Sequence, residues 1–166
     1  LFRESGLVDG MSVLDVGCGS GDVAFLAARL VGPSGAVTGI DTAEDAIADA
    51  ERRAADSGIT NVSFERCDLD RYCREPFDAV VGRFVLMHQP DPVATVWRLA
   101  SLLRDGGLLA FQEFDFTQPP LVRPELKPVV DAGRWIASAL RGLGFDTGMG
   151  MRLHQTFLSA GLPRPN

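Results

Sequence analysis

The sequence is poor in cysteine and has no long apolar run. Its 166 residues include three cysteines, Cys18, Cys67 and Cys73. This odd number without a Cys-x-x-Cys pair gives no disulfide framework. No apolar segment approaches the roughly 18 residues that a membrane-spanning helix needs. The opening "LFRESGLVDG" lacks the basic and apolar parts of a signal peptide. We therefore expect a reduced, cytoplasmic protein without a membrane span.

Positive charge is also scarce. Lysine and arginine number 16 against 22 acids, which gives a net charge of −6 and a pI near 4.8. Binding to a phosphate backbone needs a basic surface, so we expect no nucleic-acid partner. Apolar residues, by contrast, are abundant: hydrophobic residues make up 46% of the chain, enough to fill the core of one domain.

Short apolar segments alternate with segments of helical periodicity. The five strand candidates are residues 12–17, 36–41, 61–66, 77–84 and 108–114. "DGG" at 105–107 predicts a tight turn before the fifth strand. This alternation is typical of a doubly wound, mainly parallel Rossmann-like α/β sheet in the order 3-2-1-4-5, with helices on both faces.

Three helices are predicted between these strands. The first has one apolar face, and the second is rich in alanine and runs from a capping box at Thr42 and Asp45 to about Ser57. The third begins at Asp91 and Pro92. Its predicted buried face consists of Val93, Val96, Trp97, Ala100 and Leu103.

The composition changes after Phe116. Residues 117–128 hold four prolines and predict a loop, while 129–143 and about 150–160 predict helices. The first of these helices would bury one side, formed by Val129, Gly133, Ile136, Ala137 and Leu140. We therefore divide the chain into a core, residues 1–116, and a helical lid or acceptor-side segment of the same domain, residues 117–166.

The stretch "VLDVGCGSGDVA", residues 13–24, combines glycines with acids. Gly17, Gly19 and Gly21 follow the first strand, and Asp15 and Asp22 flank them. Ligands of open parallel sheets bind beyond the carboxyl ends of the strands. A dinucleotide loop would have glycine at position 22, and an aspartate 4 Å from a phosphate charge costs about 4 kcal/mol at an effective dielectric of 20. The acids therefore disfavour a dinucleotide and suit a positively charged ligand.

"LDVGCGSG", residues 14–21, resembles motif I of the class I S-adenosylmethionine-dependent methyltransferases, whose pattern is acid-x-G-x-G-x-G. Asp41 closes the second strand, "CDLD" at 67–70 follows the third, and "GRFVLMHQPDP" at 82–92 follows the fourth, as in that family. The resemblance covers about residues 8–116. It is greatest to the bacterial branch that acts on small molecules.

The resemblance implies S-adenosylmethionine as cofactor, S-adenosylhomocysteine as product and a small-molecule acceptor with an O, N or C nucleophile. It assigns the ammonium group to Asp15, the ribose to Asp41 and the adenine amine to Asp68. The full set of implied cofactor-binding residues is Asp15, Gly17, Cys18, Gly19, Gly21, Asp41, Thr42, Cys67, Asp68, Leu69, Arg83, Phe84 and His88.

Two side chains are candidate catalytic groups. His88 titrates near neutral pH by type and lies in the segment after the fourth strand, although a histidine here also supports the loop in the resembling family. Glu113 and Asp115 would share a strand face and could bind an acceptor hydroxyl or a metal, the alternative being a solvated strand end. No set of residues has the spacing of a metal site, so we expect none.

The family's sheet has seven strands and ends in an antiparallel hairpin. Nothing after "AGLPRPN" supplies the last two strands, so the C-terminal hairpin is expected to be missing. The exposed fifth strand makes a homodimer one expectation. Two other functions stay open: a non-catalytic module that binds S-adenosylmethionine or adenosine, and an NAD-type oxidoreductase.

Overall fold

The computed structural model describes residues 4–73, 76–118 and 126–165. Within them, strands and helices alternate and two further helices follow. The strands are β1 (Ser12–Val16), β2 (Ala36–Asp41), β3 (Val62–Arg66), β4 (Phe77–Arg83) and β5 (Leu103–Gln112). The helices are α1 (Asp22–Val31), α2 (Glu44–Ser57), α3 (Pro92–Ala100), α4 (Lys127–Gly142) and α5 (Met149–Ser159). Two 3₁₀ turns cover Leu69–Arg71 and Leu86–His88.

The strands form one sheet in the order β3-β2-β1-β4-β5. β1 lies at its centre and pairs in parallel with β2 and β4, with Val13 opposite Val37 on one side and Ala79 on the other. β2 and β3 are also parallel. This order confirms the predicted doubly wound, Rossmann-like sheet, with its switch point beside β1.

The core packs against both faces of the central strand. Val13 and Asp15 point to one face of β1 and Leu14 and Val16 to the other, and all four are buried. One apolar cluster joins α1 to the sheet; its buried members are Leu7, Val13, Val23, Ala24, Ala27, Ala28, Val31, Val37, Ala79 and Val81. The rigid sheet therefore fixes where β1 ends and α1 begins.

The two ends of α2 differ in how well the sequence predicts them. The helix ends at Gly58 with a left-handed φ of 65°, as expected for a glycine cap. The predicted capping box of Thr42 and Asp45 is wrong, because Ala43 occupies the N-cap position and no side chain caps the helix. Asp41 instead stabilises the turn that leads into α2, since its Oδ1 accepts a hydrogen bond from the Ala43 amide at 2.9 Å.

The predicted fifth strand, 108–114, coincides with β5 over 108–112, but its two ends and the turn at 105–107 are wrong. β5 begins at Leu103 and runs through "DGG", which is therefore not a turn between elements. Gly106 adopts a left-handed φ of 74°, which lets the strand continue through a local irregularity. The strand ends at Gln112, so Glu113 and Phe114 lie beyond it.

Two helix faces also differ from the prediction. In α3 the buried positions are Val96 and Leu99, while Trp97 is 64% exposed. In α4 the buried positions are Val130 and Ala137, while the predicted Val129 and Ile136 are exposed. Apolar neighbours one residue apart satisfy similar periodicities, and tertiary packing decides between them. Residues 119–125 of the predicted loop lie outside the described residues.

The described chain divides into two compact units. The first comprises the residues up to 83 together with 98–111, and the second comprises 84–97 together with the residues from 112 onward. The boundary predicted at residue 116 stays a prediction. In the parts of the chain that the structure describes, no helix is both long and apolar enough to cross a membrane.

Candidate functional site

The loop between β1 and α1 forms the centre of the site in the first unit. Gly17, Gly19 and Gly21 have φ values of 61°, 52° and 89°, a left-handed conformation that other residues rarely adopt. The Gly21 amide donates to the Cys18 carbonyl at 2.9 Å and closes the loop. The alternating glycines of the sequence are therefore required by the backbone that they build.

The glycines differ in what surrounds them. A Cβ atom on Gly21 would lie 2.8 Å from Cζ of Phe64 and 2.9 Å from Cε2 of Phe25, so Gly21 backs onto two aromatic rings. A Cβ atom on Gly19 would meet nothing within 4 Å among the described residues. The loop is packed on the Gly21 side and open at Gly19, where a ligand can approach the backbone.

Asp41, the last residue of β2, connects its strand to this glycine loop. Its Oδ2 accepts a hydrogen bond from the Gly19 amide at 2.9 Å, and its Oδ1 accepts the bond from Ala43 described above. Each carboxylate oxygen has two lone pairs, so both can still accept a bond from a ligand hydroxyl. The sequence predicted the ligand role and missed the loop-holding role.

Asp22, the first residue of α1, forms ion pairs with two arginines. Its Oδ1 lies 2.8 Å from the guanidinium of Arg53 on α2, and its Oδ2 lies 3.3 Å from that of Arg83 at the end of β4. The Arg53 hydrogen bond lowers the pKa of Asp22. Asp22 therefore does not present an uncompensated charge to the glycine loop.

Arg53 contacts the loop and the start of α1 in three ways. It donates to the Ser20 carbonyl at 2.5 Å, binds Asp22, and its guanidinium lies 5.2 Å from the ring centroid of Phe25. Sequence reasoning missed this residue. Nothing in the local sequence of α2 marks Arg53, because its partners Ser20, Asp22 and Phe25 lie 28 or more residues away in the chain.

Asp15 is buried beneath the loop and is 1% exposed. Its Oδ2 has no hydrogen-bond partner among the described residues. Burial raises the pKa of Asp15 to about 8, an effect that a hydrogen bond from the Ala24 amide and the charge of Arg83 partly oppose. Asp15 is therefore largely protonated at neutral pH. Together with the pairing of Asp22, this removes the two free charges on which the sequence argument against dinucleotides rested.

The segment after β3 is held by backbone and carboxylate contacts. The Cys67 amide donates to the Asp41 carbonyl at 2.9 Å, which keeps the end of β3 beside the end of β2. Asp68 Oδ1 accepts from the Asp70 amide at 3.0 Å and starts the 3₁₀ turn that contains Leu69. The structure thus brings "CDLD" to the same sheet edge as Asp41, as predicted from the order of the strands.

Two other predicted cofactor-binding residues belong to the same region of the first unit. Cys18 is buried, and burial raises the pKa of its thiol, so it is not a reactive thiolate. Its backbone amide donates to the Ile40 carbonyl at 3.0 Å. The Thr42 carbonyl accepts a bond from Arg66 at 3.2 Å. Both residues therefore have structural contacts through their backbones.

In the second unit, the turn formed by residues 84–88 contains a strained residue. Phe84 is a non-glycine residue with a left-handed φ of 61°. Its amide donates to the Gln112 carbonyl at 2.9 Å, and its ring stacks on Phe114 at a centroid distance of 4.0 Å and an angle of 11°. Strain of this kind persists only where neighbours enforce it, and it is concentrated at functional sites.

Glu113 binds the same turn through its carboxylate. Its Oε1 accepts hydrogen bonds from the Val85 and Leu86 amides, both at 2.8 Å, and its Oε2 accepts one from Met87 at 3.4 Å. Burial raises the pKa of Glu113, and these three bonds oppose the rise. Because β5 ends before Glu113, the strand face that it was expected to share with Asp115 does not exist.

His88 ends the 3₁₀ turn and is exposed. Its ring contacts Phe145 edge-on, at a centroid distance of 4.3 Å and an angle of 72°. Asp146 donates its backbone amide to the Met87 carbonyl at 2.9 Å, so the segment before α5 packs on the turn. Among the described residues, no group of three or more His, Cys, Asp or Glu side chains is placed to hold a metal ion.

A family model described as a methyltransferase domain matches residues 7–138. The chain belongs to this family, and its sheet order and glycine loop are those of the Rossmann-like, class I members that depend on S-adenosylmethionine. This confirms the resemblance seen in "LDVGCGSG". The family match also covers residues of both units.

Individual relatives agree with this assignment. The chain is 36% identical over 127 residues to aklanonic acid methyltransferase DauC of Streptomyces sp. (strain C5). The aligned region covers 74% of this chain and 58% of that protein. The chain is 40% identical over 100 residues to nocamycin O-methyltransferase of Saccharothrix syringae, covering 59% and 36%. The chain therefore spans only part of the length of these relatives.

A solved structure shows the same fold. The crystal structure of a SAM-dependent methyltransferase from Aquifex aeolicus superposes with a TM-score of 0.65 at 21% identity, covering 80% of this chain and 76% of that chain. At 21% identity, this structural similarity is evidence for the fold alone. It confirms the doubly wound architecture predicted from the alternation of strands and helices.

Proposed function

We propose that this protein transfers the methyl group of S-adenosylmethionine to a small-molecule acceptor and releases S-adenosylhomocysteine. The observation that carries the proposal is the loop of three left-handed glycines whose Gly19 amide is bound by Asp41. The family supports the reaction type. Two relatives, an aklanonic acid methyltransferase and a nocamycin O-methyltransferase, support a small organic acceptor.

The residues of the first unit fit this cofactor. The backbone at Gly19 is open, and Asp41 keeps lone pairs for the two ribose hydroxyls. Asp15 has a buried oxygen without a partner in the part of the chain that the structure describes. Asp15 would bind near the amino-acid portion, and Asp68, with Cys67 and Leu69, would bind the adenine.

The remaining assignments follow the family motifs. The backbone of Cys18 and of the three glycines would line the cofactor, with Thr42 next to Asp41. Arg83, Phe84 and His88 belong to the motif after β4 and keep the cofactor-side role that the resemblance gives them.

The bound cofactor supplies a methyl group on a sulfonium, which is already activated as an electrophile. The protein then has to bind and align the acceptor, and such alignment contributes about 7–11 kcal/mol to catalysis. A hydroxyl acceptor must also lose a proton. His88 is our candidate for that step, because it is exposed at the end of its turn and an imidazole nitrogen can accept a proton.

Turnover with a panel of hydroxyl, amine and carbon-acid acceptors tests this function. Mass spectrometry should detect one acceptor class gaining a single methyl group, with an equal amount of S-adenosylhomocysteine formed. A protein that binds S-adenosylhomocysteine and methylates none of the classes would contradict the catalytic proposal. If His88 takes the proton, His88→Asn should remove the acidic limb of the pH–rate profile.

We also propose a cytoplasmic homodimer. The low cysteine content and the free thiols at Cys18, Cys67 and Cys73 support a reducing compartment. The edge position of β5 in the described sheet supports pairing between copies. Sedimentation at several concentrations and cell fractionation test the two statements, and a concentration-independent monomer would refute the dimer.

A further inference from the structure

The turn at residues 84–88 is fixed from one short segment, Gln112–Glu113–Phe114. The Gln112 carbonyl binds the amide of Phe84, the Glu113 carboxylate binds the next three amides, and the Phe114 ring stacks on Phe84. All these contacts lie within the second unit. They enforce the left-handed backbone at Phe84, which such a side chain rarely adopts.

Glu113 satisfies the groups that a 3₁₀ turn leaves without partners. The first amides of a helical turn have no acceptor within the turn itself. A carboxylate that accepts from several amides is held in one orientation. Both lone pairs of Oε1 are already used by the Val85 and Leu86 amides, so the carboxylate is anchored on the backbone of the turn.

We propose that Glu113 is a positioning residue that fixes the 84–88 turn, and with it Phe84 and His88, and that it does not act as the base. The inference rests on the proposed methyl transfer for its activity readout. It deepens that function by separating the two candidate catalytic residues. His88 keeps the acid–base role, and Glu113 holds the backbone that carries His88.

Two substitutions at Glu113 distinguish positioning from proton transfer. Glu113→Gln keeps an oxygen that can accept from Val85 and Leu86, whereas Glu113→Leu removes every acceptor. We expect kcat/KM to stay within about threefold of wild type for the glutamine variant and to fall about tenfold or more for the leucine variant, the loss expected for hydrogen bonds to a charged group. If Glu113 is the base, both variants lose activity alike, by about 10²- to 10⁴-fold.

Hydrogen exchange gives a readout that does not depend on activity. The amides of Val85 and Leu86 should exchange slowly in the wild type and in Glu113→Gln, and faster in Glu113→Leu. Equal exchange in all three proteins would overturn the proposal. If the leucine variant does not fold, Glu113→Asp, which keeps the charge and shortens the reach, should show the same faster exchange.

Asp115 provides the matched control two residues along the chain. Its Oδ1 accepts only from Thr117, through the amide at 2.8 Å and the hydroxyl at 2.6 Å, in the contacts described. Asp115→Asn should leave kcat/KM and the exchange of Val85 and Leu86 unchanged. If the wild type fails to bind S-adenosylhomocysteine, the proposed function fails, while the exchange experiment still decides the role of Glu113.

Discussion

The Asp41 carboxylate and the Gly19 amide are joined by a hydrogen bond of 2.9 Å between Oδ2 and N. The bond connects the end of β2 to the glycine loop after β1. It places a carboxylate acceptor beside Gly19, where a Cβ atom would meet nothing within 4 Å among the described residues. One side chain therefore shapes the loop and offers lone pairs to a ligand.

Replacing Asp41 with alanine removes the loop contact and the acceptor for the ribose hydroxyls. We expect the affinity for S-adenosylhomocysteine to fall by about 1–3 kcal/mol, as measured by calorimetry. The matched control is Asp45→Ala, an exposed carboxylate in the first turn of α2 that should leave affinity unchanged. Equal affinities of wild type and Asp41→Ala would refute the ribose role.

Replacing Arg53 with methionine tests whether its contacts stabilise the glycine loop. The variant loses the bonds to Ser20 and Asp22, so we expect S-adenosylhomocysteine to bind about three- to tenfold more weakly. Arg52→Met is the matched control, because Arg52 contacts only the exposed Asp49 and Asp56 of its own helix in the contacts described. The interpretation fails if both variants bind the ligand equally well.

Replacing Gly21 with alanine tests the packed side of the loop. The new methyl group would collide with Phe64 and Phe25 while the backbone stays at a φ of 89°, so we expect a loss of about 2–5 kcal/mol in the free energy of unfolding. Gly58→Ala is the matched control, because Gly58 also has a left-handed φ but an added Cβ atom would meet nothing within 4 Å among the described residues. It should cost about 1–2 kcal/mol. Similar losses in both variants would contradict the steric account.

The pKa of Asp15 predicts a pH-dependent stability. The native value is about 8 and the unfolded value near 3.8, so the native state binds the extra proton between these limits. Its contribution to the free energy of unfolding is complete below about pH 4 and is lost as pH rises through about 8, by at most about 1.4 kcal/mol per pH unit. Asp15→Asn should remove this slope. Urea unfolding at about pH 5 and about pH 8 measures this slope. The same pH dependence in the wild type and in Asp15→Asn would contradict a raised pKa at Asp15.

The elements nearest the site could be predicted from local sequence. β1 and β2 are short apolar runs with turn residues on both sides, and the glycines between β1 and α1 permit only a few backbone conformations. The carboxyl ends of the parallel strands then bring Asp41 and "CDLD" to one edge. These features depend on neighbours in the chain, so the sequence contains the information.

The features that the sequence did not predict depend on distant partners. Arg53 and Asp22 are 31 residues apart, and Glu113 lies 26 to 28 residues from the amides that it binds. The sequence alone also suggested that Asp15 and Asp22 carry free charges. The fold shows otherwise, because Asp15 is buried and Asp22 is paired with two arginines. Periodicity likewise could not choose between Trp97 and Leu99 for the buried face of α3.

Calorimetric titration of the protein with S-adenosylhomocysteine, and separately with NADH, tests the central claim most directly. The account predicts saturable binding of S-adenosylhomocysteine that weakens in Asp41→Ala, and no measurable heat from NADH. Binding of NADH in preference to S-adenosylhomocysteine, or no binding of S-adenosylhomocysteine by the folded protein, would contradict it.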